Sequence, residues 1–269
     1  MSQAPERFLA DQTAIVTGAS SGLGQACAIA LAARGAAVAV NYRSDADGAA
    51  DTIREIEAAG GKAFPFKADI SQEEDIKALF AATVETYGTV DILVANAGLQ
   101  MDGAFTDLTK KDWDTVIGVN LTGAFLCMQE AVRQFRKQGM RSSRALGKII
   151  AMSSVHDVIP WAGHVNYAAS KGGLSMLMKS AAQELAAEKI RVNAIAPGAI
   201  ATAINKSVWG DEEKYKELLK IMPYGRIGET RDVGEACAWM ASDYADYMTG
   251  HTLVIDGGME LYPEFIGNG

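Results

Sequence analysis

Cysteine is scarce in this sequence: Cys27, Cys127 and Cys237 are the only three, and no Cys-x-x-Cys pair occurs. An odd, scattered set argues against a disulfide framework or a thiolate zinc site and points to buried, reduced thiols. Histidine is equally sparse, with His156, His164 and His251 lying apart from any carboxylate at ligand spacing, so no metal is expected. Only 6 prolines occur in 269 residues, and no Pro/Ser-rich or charged linker divides the chain. Basic charge is in deficit, 25 Lys and Arg against 33 Asp and Glu, a net of −8. Without a basic patch for a phosphate backbone, nucleic acid is not an expected partner. The apolar runs are of strand length and broken by glycine or polar residues, so no membrane partner is expected. Residues 1–11 lack the basic start and apolar stretch of a signal peptide. Together these absences predict a cytoplasmic protein.

What is present is a repeated succession of strand-like and helix-like runs. Strands are expected at 13–17, 36–42, 62–67, 91–95, 147–152, 190–195 and 252–255, and helices at 22–34, 45–59, 72–87, 110–136 and 165–188. Such alternation implies right-handed crossovers and a parallel sheet covered on both faces. One α/β domain of this kind absorbs the whole chain, 1–269. The segment 203–226 breaks the pattern with Trp209, a run of charges and Met222-Pro223-Tyr224-Gly225-Arg226; it reads as a helical lid over the carboxyl ends of the strands.

After the first strand comes Thr17-Gly18-Ala19-Ser20-Ser21-Gly22-Leu23-Gly24. Glycines between a strand and a helix allow a tight turn and close approach of a pyrophosphate, which then rests on the helix N-terminus. Gly18, Ser20, Ser21, Gly22, Leu23 and Gly24 are therefore candidate cofactor residues. The second strand ends in Asn41-Tyr42-Arg43-Ser44, without the acid that usually binds both ribose hydroxyls of NAD. Arg43 can fork onto a 2′-phosphate and Ser44 can add a hydroxyl, so NADP is the expected cofactor with NAD tolerated.

Tyr167 and Lys171 are spaced to share one face of a helix, with the small Ala168, Ala169 and Ser170 between them leaving room for a ligand. A phenol ionises near ~10 and must fall by about two or three units to act as a base near neutrality, about 3–4 kcal/mol. A cation ~4 Å away at an effective dielectric of ~20 supplies about 4 kcal/mol, so Lys171 is expected to lower the Tyr167 phenol. Ser153 and Ser154 end a strand at the sheet edge where such folds bind ligands.

The loop 17–24, Asn96-Ala97-Gly98, Ser154, Tyr167-x3-Lys171 and Pro197-Gly198 together resemble the short-chain dehydrogenases/reductases, in order and over nearly the whole chain. The resemblance implies a single Rossmann-type, doubly wound α/β domain with seven parallel strands. It gives Tyr167 the role of general acid/base, Lys171 that of tuning it and holding the nicotinamide ribose, and Ser154 that of polarising the substrate oxygen. Asn120 would hold a water in a proton relay to Lys171. Asp69 and Ile70 would flank adenine; Asn96, Ala97, Gly98, Pro197, Gly198 and Ile200 would line the cofactor, and Thr202 would meet the carboxamide. Ala95 departs from the pattern, standing where many members carry a second asparagine.

Within the family, 41–44, Ser153-Ser154-Val155-His156, Ile159-Pro160-Trp161, 167–173, Asp256-Gly257-Gly258-Met259 and Tyr262-Pro263-x-Phe265 resemble the bacillus type of glucose 1-dehydrogenases. That implies oxidation of β-D-glucose at C1 to the 1,5-lactone by a homotetramer, with His156 and Asn205 on sugar hydroxyls. Gln100 stands where a glutamate is expected, which would shift sugar preference, and Ala203 where a proline is expected. His164 and His251 read as structural. An NADPH-dependent carbonyl reductase acting on 3-oxoacyl or other ketone substrates would share the catalytic core, although the lid's Asp211-Glu212-Glu213 does not suit an acidic carrier. A non-catalytic nucleotide-binding regulator would be free to lose Tyr167, Lys171 or Ser154, and all three are present.

Overall fold

A computed structural model describes residues 6–203 and 206–261. Seven strands, β1 (Thr13–Val16), β2 (Ala37–Tyr42), β3 (Lys62–Lys67), β4 (Ile92–Ala95), β5 (Gly147–Met152), β6 (Ile190–Pro197) and β7 (Thr252–Ile255), form one sheet in the order β3-β2-β1-β4-β5-β6-β7. Every pairing is parallel. The helices are α1 (Gly22–Ala33), α2 (Ala46–Ala58), α3 (Glu73–Tyr87), α4 (Lys110–Ile117), α5 (Ala124–Gln138), α6 (Val165–Leu185), α7 (Lys206–Trp209), α8 (Glu212–Leu219) and α9 (Thr230–Ala241). Sequence reasoning left α9 unassigned; in the fold it buries Val233, Cys237, Ala238, Met240 and Ala241.

Alternate strand residues feed two cores. Val16, Val38, Val94 and Ile150 pack with Leu31, Ile56 and Met240 of α1, α2 and α9. Ile15, Ala39, Leu93 and Ile149 pack on the opposite face with Phe80, Phe135 and Met178 of α3, α5 and α6. Burying each large side chain contributes about 1.5–3 kcal/mol, which holds both helix layers to the sheet. Edge strand β3 tolerates Pro65, which sits opposite Val40 with no neighbour beyond it. The helical stretch Lys110–Gln138 is long and apolar enough by composition to cross a membrane. Here Cys127, Met128, Ala131 and Phe135 turn that apolar face onto the sheet.

The helix expected over 110–136 is interrupted by a π-helical turn, Gly118–Gly123, between α4 and α5. A Cβ on Gly123 would lie 2.7 Å from the Ile70 carbonyl oxygen, so only glycine admits this contact. The strand order reverses between β1 and β4, which opens the crevice where such sheets take ligands. The excursion after β6 is closed at its stem by a bridge between Ile200 and Gly228.

Candidate active site

The loop from β1 to α1 is built around two glycines with left-handed backbone, Gly18 at φ 62° and Gly22 at φ 57°. It is braced from three strands. Thr17 Oγ1 accepts from the amides of Asn96 and Ala97, each at 3.0 Å. The Asn96 amide donates to Thr17 O at 2.9 Å and Gly18 O at 3.1 Å. Asn41, which is buried, accepts from Gly18 N at 3.2 Å and donates to Ala68 O at 3.1 Å. A Cβ on Gly24 would lie 2.3 Å from Gly18 O, so the helix starts flush against the turn. Asn96 and Asn41 therefore hold the loop's shape. The bracing role of Asn41 was not legible in a strand read only as apolar.

This loop fits a dinucleotide phosphate. The α1 N-terminus has no acidic residue in its first turn and no side-chain cap from Ser21, so its amides have no competing anion of their own. Arg43 and Ser44 are exposed just beyond β2, and Arg43 makes no ion pair among the described residues. Leu23 packs against the core beside α1. Ile70 is a core residue, while Asp69 Oδ1 accepts from Ser71 N at 2.9 Å in a tight turn. Thr202 lies beside the loop, its Cγ2 3.7 Å from where a Gly22 Cβ would be. Pro197 ends β6, and Gly198 N donates to Ile255 O at 3.0 Å. Asn205, Tyr262, Pro263 and Phe265 lie outside the described residues.

Ser154, Tyr167, Lys171 and Asn120 converge beside this crevice. Ser154 leaves β5 and caps the short turn Val155–Asp157, accepting from His156 N at 3.2 Å. Tyr167, on the first turn of α6, shares hydrogen bonds with the side chains of Ser154 and Gln100. Lys171 is buried one turn later, donating to Met152 O at 2.6 Å, with Nζ 5.5 Å from the Tyr167 ring centroid. A Cβ on Gly98 would lie 3.3 Å from Asn120 Oδ1 and 3.7 Å from Lys171 Nζ, which places the β4 loop over both.

The electrostatics depart from the sequence expectation. Burial raises the Tyr167 phenol above its ordinary value, partly opposed by the hydrogen bonds of Ser154 and Gln100. Burial also pushes Lys171 down to about 8, and nearby Asp157 only partly opposes it. The cation expected to lower the phenol is itself desolvated, and burial is the largest influence on the phenol.

Ser170 is buried, donating to Tyr167 O at 2.7 Å and accepting from Asn120 Nδ2 at 3.1 Å. Asn120 additionally exchanges hydrogen bonds with the main chain of Leu99, both at 2.9 Å. Its side-chain amide is thus committed to these three bonds. His164, expected to lack a partner, pairs with Asp102 at 3.3 Å. His156 Nδ1 meets Ile159 O at 3.0 Å and its ring stacks on Trp161. His251 N donates to Asn193 Oδ1 at 3.0 Å and its carbonyl accepts from Ala194 N at 2.9 Å.

A family model described as enoyl-(acyl carrier protein) reductase matches residues 18–260. The 3beta-hydroxysteroid dehydrogenase 1 of Eggerthella lenta is 46% identical over 96% of this chain and 97% of its own. The glucose 1-dehydrogenase 2 of Bacillus subtilis is 42% identical over 95% of this chain and 97% of its own. A solved structure with bound NADP from Agrobacterium tumefaciens, provisionally named 2-deoxy-D-gluconate 3-dehydrogenase, superposes with a TM-score of 0.85. It is 34% identical over 95% of this chain and 99% of that one. With the braced glycine loop, the seven-stranded parallel sheet and the Tyr167–Lys171 pair, these likenesses place the chain in the short-chain dehydrogenase/reductase family of NAD(P)-using oxidoreductases.

Proposed function

We propose that this enzyme oxidises an equatorial hydroxyl on a saturated six-membered ring, with β-D-glucose at C1 the favoured substrate and the 1,5-lactone the product. The observation that carries the reading is the Tyr167 phenol, held by Ser154 and Gln100 beside the buried Lys171. Ser154 Oγ and Tyr167 Oη together grip the reacting oxygen, and Tyr167 takes its proton in oxidation or returns it in reduction. Lys171 and a water relay at Asn120 carry that proton away in oxidation and resupply it to the phenol in reduction. A bound nicotinamide supplies the two-electron acceptor, held by the glycine loop, Asn96-Ala97-Gly98 and 197–202. Arg43 and Ser44 favour NADP, with NAD accepted; the Agrobacterium tumefaciens relative with bound NADP supports this choice.

The polar side chains of Gln100 and His156 favour a polyol. The second reading, a 3β-hydroxysteroid, is favoured by Phe105 and Val158. They are 81% and 76% exposed on the two loops beside Tyr167, and a hydroxysteroid dehydrogenase is among the relatives. Both substrates present an equatorial hydroxyl on a chair ring, so one catalytic geometry serves either. A ketone reductase of the same family remains the reverse-direction alternative. We also propose a cytoplasmic homotetramer: apolar Phe125 and Met176 are exposed on α5 and α6, and Trp239 and Val254 on α9 and β7, giving two separate faces for pairing. The deciding assay measures initial rates with β-D-glucose and a 3β-hydroxysteroid, each with NADP and NAD, plus a β-ketoacyl ester in reverse. Fast glucose oxidation supports the first reading; ester reduction without either oxidation overturns both.

A further inference from the structure

Residues 100–103 run antiparallel to 163–167 and are fastened to them at four points. Gln100 bonds the Tyr167 phenol. Asn166, itself buried, donates from Nδ2 to Met101 O at 2.9 Å. Asp102 meets His164 Nε2 at 3.3 Å. Gly103 N donates to Gly163 O at 2.9 Å. The loop after β4 is thereby zipped to the start of α6, beside the catalytic tyrosine.

His164 is the aromatic tooth of this zipper. Its Nδ1 faces Ala162 O at 3.0 Å while Nε2 faces the Asp102 carboxylate. The ring so held lies flat on Trp161, with centroids 3.5 Å apart and planes 6° apart. The other indole face is covered by His156, at 4.2 Å and 17°. Trp161 in turn stands edge-on to the Tyr167 ring, at 6.3 Å and 81°. With both indole faces covered, a substrate ring meets the edge of Trp161 and cannot stack on its face.

We propose that His164, clamped by Asp102, is a positioning residue that fixes Trp161 as the side wall of the substrate pocket and so sets how a ring alcohol lies against Tyr167. This rests on the ring-alcohol reading above for its kinetic consequence, but not for its structural one. The stack acts on substrate placement. Ser154, Tyr167 and Lys171 are fixed by their own contacts, so the effect falls on substrate KM and not on turnover.

The test pairs a spectroscopic and a kinetic readout on full-length His164→Ala, His164→Arg and Asp102→Asn proteins, with Trp161→Phe as the emission baseline. An imidazole stacked on an indole sets the surroundings from which the indole emits, so losing the stack changes its fluorescence. His164→Ala and Asp102→Asn should therefore change tryptophan emission, and subtracting the Trp161→Phe spectrum should assign the change to Trp161. On whichever ring alcohol is turned over, KM should rise about five- to tenfold with kcat within about twofold and cofactor KM unchanged. His164→Arg, whose planar cation can stack and pair with Asp102, should recover most of the KM. Unchanged emission in both His164→Ala and Asp102→Asn overturns the proposal, as does a loss confined to kcat. If neither glucose nor a hydroxysteroid is oxidised, the function reading fails while emission still decides the clamp. Asp102 is half exposed, so Asp102→Asn keeps the test open should His164→Ala not fold.

Discussion

Lys171 donates from Nζ to the Met152 carbonyl at 2.6 Å, which ties the cation of α6 to the last residue of β5. The next residues along the chain are Ser153 and Ser154, so one hydrogen bond fixes the distance between the lysine's helix and the serine's strand. The cation is buried and pushed down to about 8, and the neighbouring phenol is raised above 10.0. In the cofactor-free protein Tyr167 is therefore an un-ionised acid at neutral pH. Difference titration of tyrosinate absorbance, wild type minus Tyr167→Phe, should give a midpoint above 10.0. A midpoint near 7 would mean that the lysine governs the phenol without help. The same direction predicts that alcohol oxidation speeds up as pH rises, because the base form of Tyr167 grows with pH.

Arg43 is exposed beyond β2 with no ion-pair partner among the described residues. Arg43→Ala should weaken NADP binding at least tenfold, the loss of a charge-assisted forked contact worth about 1.5–3 kcal/mol. NAD binding should hardly change. Calorimetric titration of both cofactors checks this, and equal losses for both would remove Arg43 from the 2′-phosphate site.

Asn41 and Gly24 support the phosphate loop from beneath. Asn41→Ala leaves Gly18 N and Ala68 O without their partner in a buried site, at a cost of about 1–3 kcal/mol. Gly24→Ala drives a methyl to 2.3 Å from Gly18 O, which the turn can meet only by moving. Both should lower urea midpoints and raise cofactor Kd together. Gly22→Ala should be milder on packing, since its Cβ would find its nearest atom at 3.7 Å, although φ 57° adds backbone strain of about 1–2 kcal/mol.

Lys148 on β5 is buried, bonds Gln12 Oε1 at 2.5 Å, and is pushed by desolvation from 10.5 down to about 8. Between those values the unfolded chain binds more protons than the folded one, so stability rises with pH across the window and falls as pH drops through about 8. Fully expressed, the effect is roughly 3 kcal/mol. Lys148→Met lacks this titration. The unfolding free energy of wild type relative to Lys148→Met should climb between pH 8 and 10.5, and a flat difference would contradict the burial of a charged amine.

All three thiols are buried and free, and burial raises Cys127 to about 12. Cys27 and Cys237 touch across α1 and α9, far apart in sequence. A thiol reagent should label none in the native protein and all three in guanidinium. Labelling of one thiol before unfolding would reveal local opening of α9.

Much of the architecture was legible because parallel βα units repeat a physical signature. Strand runs such as AVAV at the start of β2 are continuously apolar, and helix ends carry Gly35, Gly60 or Gly88. The positions of β3, β5 and β7 agree with the sequence reading to the residue, and those of β1, β2 and β4 to within one. The glycine loop was legible for the same reason: its residues must satisfy a local backbone shape. The π-turn at Gly118–Gly123 was not, since its cause is the approach of Gly123 to the Ile70 carbonyl from another crossover.

The sequence by itself determined the alternation of elements, the family, the phosphate loop and the four residues around the candidate reaction centre, because each depends on local periodicity or on residue type at fixed spacing. Tertiary structure decided what spacing cannot express. It turned Ser170 inward to Asn120, put Asn41 under Gly18 and paired His164 with Asp102. It also reversed the direction in which Tyr167 is shifted. Hydrogen bonds between distant segments and desolvation by a closed core are properties of what surrounds a residue, and only the fold supplies those surroundings.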